Sequence, residues 1–358
     1  MPLLPLFGHT ALRERLRDAA IQGTFPGSIL LEGPRGIGKQ QLALWVARVL
    51  LCERENQAPC GECKACRMAR EVQHPDLHWF FPRPRPKDAS SADADDVRED
   101  MAEAIAERMQ NGGLYEAPGG DEGIFISTVH ALVQTASVSP AMGRRKVFVV
   151  GDAERMVAQE GADQAANAFL KLLEEPPADT TIILTSSEPG ALLPTIRSRV
   201  VSVRVAPLVP DDVRAFLSNP AVANRLDVPG ASGVEALVQL AGGAPGRLIG
   251  REAWEAALGQ ARRMLDAAGA PDRGTRMRVA MSQGGMGARG KFSDMLDALT
   301  VLLHERARSA AQKGFERQAS GAARAVSVVE EAKERASGNV NPQLVAASLL
   351  QSLAPLLS

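Results

Sequence analysis

The sequence predicts an α/β fold in which a parallel sheet covered by helices gives way to purely helical segments. Three observations carry this. A strand, a glycine loop and a helix follow one another in "LLEGPRGIGKQQLALWVARVLLC" at residues 30–52. Continuous apolar runs, Val147 to Val150 and the "TTIILTSSEP" stretch at 180–189, suit strands buried on both faces, and they alternate with helical patterns. After "APLVPDD", near residue 207, strand-like runs all but disappear.

The chain has 358 residues, 45% of them hydrophobic, enough to bury a sizeable core in two or three domains. Its formal charge of −1 supplies no global basic field, so contact with nucleic acid or anionic membrane has to use local patches. Arg144, Arg145 and Lys146 form the clearest one. A free-standing nucleic-acid module that works by base stacking is disfavoured, because ten Phe, three Trp and one Tyr accompany a near-neutral charge. The N-terminal "MPLLPLFGHTALRERLRDAA" lacks a basic region followed by an apolar one, and no stretch approaches the ~20 apolar residues of a membrane span. A cytoplasmic location is expected.

In "GPRGIGKQ", Gly33, Gly36 and Gly38 let backbone N–H groups turn toward a phosphate, and Lys39 can neutralise it at the positive end of the following helix. Magnesium in such loops is held by a Ser or Thr hydroxyl and by an acidic residue ending a neighbouring strand. Here Gln40 takes the hydroxyl position, and the strand Val147 to Val150 runs into Gly151, with acidity beginning only at Asp152. Two defects on the same ion argue against efficient hydrolysis, while nucleotide binding without turnover stays open.

All four cysteines fall in one short stretch, Cys52, Cys60, Cys63 and Cys66. Four thiolates on a loop with Pro59 and Gly61 suit tetrahedral zinc at roughly 2.3 Å per sulfur, and a complete shell implies a structural site rather than a catalytic one. Redox chemistry from the Cys-x-x-Cys spacing is the rival reading. His74 and His78, just downstream, are taken as surface or packing residues.

Residues about 84–123 are acidic and poor in large apolar side chains, which predicts an inserted surface segment with one short helix. "QAANAFLKLLEEPP" then reads as an amphipathic helix stopped by Pro176 and Pro177, and "TIRSRVVSVRV" as a helix end or turn followed by a strand. The helical remainder breaks at "GGAPGRL", 242–248, which divides the chain into 1–206, a small helical domain at 207–250 and a larger one at 251–358. Phe292, Met295, Leu296, Leu299, Leu302 and Leu303, and near the end Leu344, Ala347, Leu349 and Leu350, keep the spacing of helices packed in a bundle.

"GPRGIGKQ", the cysteine cluster after the first loop helix, "HPD" at 74–76, "NAFLKLLEEPP" at 167–177, "TSSEP" at 185–189 and "IRSR" at 196–199 together resemble the bacterial clamp loaders of the AAA+ superfamily, and within them the delta-prime family. The resemblance covers most of 1–206 and weakens afterwards. It implies an AAA+ phosphate-loop domain with an inserted zinc module, a helical lid and a C-terminal helical collar.

In that family an Arg of a Ser-Arg-Cys motif completes the ATP site of a neighbouring subunit. Ser198 and Arg199 match, Val200 replaces the Cys, and Arg197 is the second choice for the finger. Ser186 and Ser187 fall at the family's first sensor and Arg247 at its second. The resemblance implies a subunit without its own ATPase that works with gamma/tau-type ATPases and a delta-type subunit, and through the complex with the sliding clamp and primer-template DNA. The alternative is an active gamma/tau-type ATPase, against which Gln40 and Gly151 weigh. The acidic insertion and the retained Lys39 depart from the family pattern.

Overall fold

The computed structural model describes residues 2–84, 94–116, 118, 122–156, 169–228, 231–284, 289–337 and 340–357. Two compact units divide the chain, Met1–Ile249 and Gly250–Ser358.

In the first unit β1 (Ser28–Glu32), β2 (Leu77–Phe80), β3 (Lys146–Val150), β4 (Thr180–Ser186) and β5 (Val201–Arg204) form one sheet, ordered β2-β3-β4-β1-β5. Every pairing is parallel. β3 and β4 are buried at each position, which is why they read as runs rather than as alternating patterns. β5 lies at the sheet's edge and is largely exposed, in keeping with its polar "VSVR". Leu30 and Val150 both pair with Leu184, so the C-terminal ends of β1, β3 and β4 are level and the loops beginning at Gly33, Gly151 and Ser187 open at one edge. In parallel sheets that edge is where ligand sites are built.

Helices α1 (Thr10–Ile21), α2 (Lys39–Leu50), α3 (Lys64–Arg70), α4 (Ala94–Gln110), α5 (Ile126–Ser137), α6 (described part 169–174) and α7 (Pro194–Arg197) accompany the sheet. α2 packs on β1, β3 and β4 and is almost wholly buried. β2 and α5 go unrecognised in the sequence. β2 is four residues long and closely flanked by Pro75 and Pro82, so its apolar run is too short to separate from a loop.

The segment expected to be a surface insertion with one short helix differs. α4 has 17 residues and buries Val97, Met101, Ala104 and Met109, while its acidic residues fill the other face. High net acidity hid an amphipathic stripe. Residues 85–93, 117 and 119–121 of that segment, and Asn167 and Ala168 of "NAFLKLLEEPP", lie outside the described residues. In α6, Phe169, Leu172 and Leu173 are buried.

Helices α8 (Pro210–Leu217), α9 (Pro220–Leu226) and α10 (Ala231–Ala241), with a 3-10 turn at Pro245–Leu248, enclose a small cluster of Val213, Phe216, Leu217, Val222, Leu237, Val238 and Leu248. Leu4, Leu114, Leu208 and Ala241 complete it.

The second unit holds α11 (Arg251–Gly269), α12 (Arg273–Met281), α13 (Arg289–Gln312), α14 (Glu316–Ser337) and α15 (Pro342–Leu357). Phe292, Met295, Leu296, Leu299 and Leu303 of α13 are buried, and Leu302 is partly so. In α15 the core stripe is Val345, Ala346, Leu349, Leu350 and Leu353, whereas Leu344 is 66% exposed. Leu344 matched the periodicity one position off the buried face. Among the described residues no helix is long and apolar enough to cross a membrane.

Candidate functional site

The glycine loop sits between β1 and α2, as its sequence requires, with Gly33, Gly36, Gly38 and Lys39 in place. Lys39 is 6% exposed, and its ammonium donates to the carbonyls of Gly33 at 2.8 Å and Pro34 at 2.9 Å and to Ser187 Oγ at 2.8 Å. Its charge is spent on the loop itself and on the end of β4. Gly36 adopts φ 83°, and its carbonyl accepts the Gly246 N–H at 2.8 Å. A Cβ on Gly36 would lie 2.9 Å from the Arg247 nitrogen, so only glycine allows the 3-10 turn to rest on the loop. Arg247 is buried at that contact.

Gln40 is 3% exposed. Its amide nitrogen donates to Asp152 Oδ2 at 2.9 Å, and its amide oxygen accepts from Trp79 Nε1 at 3.0 Å and from Arg108 Nη1 at 3.4 Å. The Asp152 N–H in turn donates to Thr185 Oγ1 at 3.1 Å. A Cβ on Gly151 would meet Gln40 Nε2 at 2.3 Å and Cδ at 2.4 Å. Gln40 thus fills the space that an acidic side chain on residue 151 would need.

Arg108 and Trp79 were not legible as site residues. The Arg108 guanidinium carbon stands 3.3 Å from the Phe81 ring centre, 3.8 Å from that of Tyr115 and 5.1 Å from that of Trp79. Burial lowers its pKa to about 10, still well above neutral, so it stays a cation at pH 7. The end of α4 is docked by Gln41 Nε2 donating to the Gly113 carbonyl at 3.1 Å and by the Leu4 N–H donating to that of Gly112 at 2.9 Å.

Ser186 is fully buried, its Oγ accepting the Glu188 N–H at 3.1 Å. The Ser187 N–H donates to Glu154 Oε1 at 3.0 Å, while Glu154 Oε2 is buried with no partner among the described residues. Burial, then the Asp152 and Glu188 charges, push the Glu154 carboxyl up to about 7.

Arg199 lies away from this loop. Its Nε donates to Glu174 Oε1 at 2.8 Å, Nη2 reaches the same oxygen, and Nη1 donates to the Thr195 carbonyl at 2.9 Å and Ser198 Oγ at 3.2 Å. "LLEEPP" and "SR", separate in sequence, therefore meet through an ion pair. Arg197, at the end of α7, is exposed.

The four cysteines converge, with all sulfurs within 4.8 Å of one another and Cys52–Cys63 and Cys60–Cys66 each 4.0 Å apart. Four sulfurs around one ion at roughly 2.3 Å would stand roughly 3.8 Å apart, so this group could hold a metal ion. Backbone N–H groups of Arg54, Cys63 and Cys66 point at the sulfurs of Cys52, Cys60 and Cys63. The Cys63 and Glu62 N–H groups draw the Cys60 thiol down to about 6, whereas burial raises Cys52 and Cys66. Among the described residues His74 and His78 are packing residues: His74 is buried, its Nδ1 accepting the Asp76 N–H, and His78 stacks on Phe148 at 4.8 Å.

The basic cluster is corrected at one position. Lys146 is 2% exposed, and its ammonium donates to the carbonyls of Thr135 at 3.0 Å, Ala136 at 2.7 Å and Val138, closing the C-terminal end of α5. Arg144 and Arg145 are left for a surface patch, and Arg144 is already paired with Glu55 at 2.7 Å.

Residues 8–209 match the model of a family described as DNA polymerase III, delta subunit. DNA polymerase III subunit delta' of Pseudomonas aeruginosa is 36% identical over 217 residues, which is 60% of this chain and 52% of that protein. A gamma/tau subunit of DNA polymerase III from Mycobacterium tuberculosis is 30% identical over 59% of this chain and 30% of its own length. The matched stretch is therefore about half, or less, of each relative. Among solved structures, a gamma subunit-related protein of Thermotoga maritima aligns over 97% of this chain and 99% of its own at 18% identity, with a TM-score of 0.36.

Proposed function

Since the chain belongs to the DNA polymerase III delta-subunit family, we propose that it is a clamp-loader subunit of the delta-prime type, which turns over no ATP and donates Arg199 to the ATP site of a neighbouring subunit. One observation carries this reading. Gln40 fills the space beside Gly151 and ties itself to Asp152, so the two positions that would hold magnesium are occupied by one uncharged amide. Phosphoryl transfer on such loops depends on that ion.

Under this reading Arg199, with Arg197 as substitute, supplies the finger, and Glu174 holds it until a partner's phosphate competes for the guanidinium. Ser186, Ser187 and Arg247 keep sensor positions with no hydrolysis to sense. Residues 207–250 serve as a lid and 251–358 as a collar against equivalent domains of gamma/tau-type and delta-type partners, with the sliding clamp and primer-template DNA engaged through the complex in the cytoplasm. Zinc bound by Cys52, Cys60, Cys63 and Cys66 is structural under this reading: four sulfurs complete a tetrahedral shell, and a divalent cation compensates the burial that otherwise disfavours thiolates.

Steady-state ATP hydrolysis by the purified chain, with magnesium and primed DNA, tests the reading against a Lys39→Ala control. Equal, background rates are expected. Turnover abolished by Lys39→Ala would make the chain a gamma/tau-type motor instead.

A further inference from the structure

We propose that Arg108 is a resident cation of the phosphate loop, delivered by α4 to the place where magnesium would be held and keeping a divalent ion out of it. The proposal rests on the non-hydrolysing reading above and adds the device that enforces it.

Magnesium requires near-octahedral oxygen ligands at about 2.0–2.1 Å and gives up its waters reluctantly. The side chains at this position do not fit it. The Gln40 oxygen already accepts from Trp79 at 3.0 Å and from Arg108 at 3.4 Å, and its nitrogen is bonded to Asp152. Gly151 offers no ligand, and no side chain there fits while Gln40 keeps its place. The Asp152 carboxylate is bonded to the Gln40 amide, whose oxygen accepts from Arg108, so the Arg108 charge acts on it through that amide.

Arg108 is built in rather than placed by chance. Phe81, Tyr115 and Trp79 cage its guanidinium, with Phe81 and Trp79 each 1% exposed. Aromatic faces stabilise a cation that has lost part of its water. A second cation brought beside it meets like-charge repulsion in a poorly solvated setting, where such repulsion is least screened. The segment read as an acidic insertion therefore contributes a caged cation at the Gln40 amide, where a magnesium ligand would stand.

The test restores the missing ligands and asks whether Arg108 still excludes the ion. In the full chain, Gln40→Thr and Gly151→Asp together supply a hydroxyl and a carboxylate. Binding of a fluorescent ATP analogue is measured with and without added magnesium. With Arg108 intact, magnesium should change affinity by less than about twofold. Adding Arg108→Met should make binding magnesium-dependent by about tenfold or more, and adding Arg108→Lys, which keeps the charge, should leave it independent of magnesium.

Equal magnesium responses of the double variant and its Arg108→Met derivative overturn the proposal, as does a response of Arg108→Lys that matches Arg108→Met, since a purely structural role would treat the two alike. Circular dichroism checks folding. Should the methionine variant unfold, Arg108→Gln carries the same expectation, and collapse of both would make Arg108 a packing residue and end the proposal. ATP turnover by the unaltered chain would instead sink the proposed function, so the two failures are separable.

Discussion

Gln40 and Gly151 are one substitution spread over two positions: a Cβ on Gly151 would stand 2.3 Å from Gln40 Nε2. Each departure from a magnesium-binding loop makes room for, or is made necessary by, the other. The pair is joined further to Trp79 of β2 and Asp152 after β3 by hydrogen bonds of 3.0 and 2.9 Å. Reverting either alone should therefore be worse than leaving both.

Gly151→Ala is expected to cost about 1–3 kcal/mol by overpacking against the Gln40 amide. In a Gln40→Ser background the same change should cost less than half as much. Denaturant midpoints of the four proteins in the cycle measure the coupling. Additive costs would mean that the two side positions do not share space.

Arg199→Ala should leave the melting temperature of the isolated chain nearly unchanged, because its Glu174 pair is half exposed and such pairs contribute little. In the assembled complex it should lower ATP turnover at the site it serves by about 10³-fold or more. Unchanged turnover there, with Arg197→Ala also silent, would remove both arginines from the mechanism.

Stripping the four-cysteine site with a chelator, or replacing Cys63 by Ser, should lower the melting temperature by roughly 10 °C or more, since the lost ion is folding free energy. Cys63 also caps α3, its sulfur accepting the Cys66 N–H at 3.3 Å. Elemental analysis should give about one zinc per chain before treatment. A preparation without zinc that melts at the same temperature would contradict the structural role.

Glu154 makes stability depend on pH. Its carboxyl is raised from an ordinary 4.5 to about 7, so between those values the folded chain holds a proton that the unfolded chain has released. Stability contributed by this group therefore falls as pH rises through that window and stays lower above it, by on the order of 3 kcal/mol. Glu154→Gln keeps the acceptor for the Ser187 N–H and removes the charge. Its melting temperature should exceed that of the parent at pH 8 by roughly 5 °C or more, and by little at pH 5. Equal gains at both pH values would point to packing rather than ionisation.

Much of the fold was legible because its signals are local. The loop glycines with Lys39, the buried runs of β3 and β4 and the close-set cysteines each declare themselves within a short window. The aromatic cage around Arg108 does not. Its rings come from β2, the residue after it and Tyr115, while Arg108 sits at the end of α4, 68 residues from the Gln40 it touches. Nothing in an acidic helix marks one arginine as half-buried, because the desolvating rings belong to other elements. Lys146 misled for the same reason: beside Arg144 and Arg145 it reads as surface charge, and only tertiary folding brings the α5 carbonyls to its ammonium. Leu344 erred through a register shift of one residue on an otherwise correct helix.

The bond from the Gly246 N–H to the Gly36 carbonyl, with Lys39 satisfied by its own loop, has a thermodynamic reach beyond the site. A ligand moves a conformational equilibrium only by the difference between its affinities for the two states. Here the turn and the loop are joined main chain to main chain, so a ligand in the loop moves them only by favouring a state in which that bond is broken. Under the proposed function that bond makes the shape of this unit insensitive to the surrounding nucleotide concentration. Within the proposed assembly it would be the fixed datum against which the movements of nucleotide-driven neighbours acquire direction.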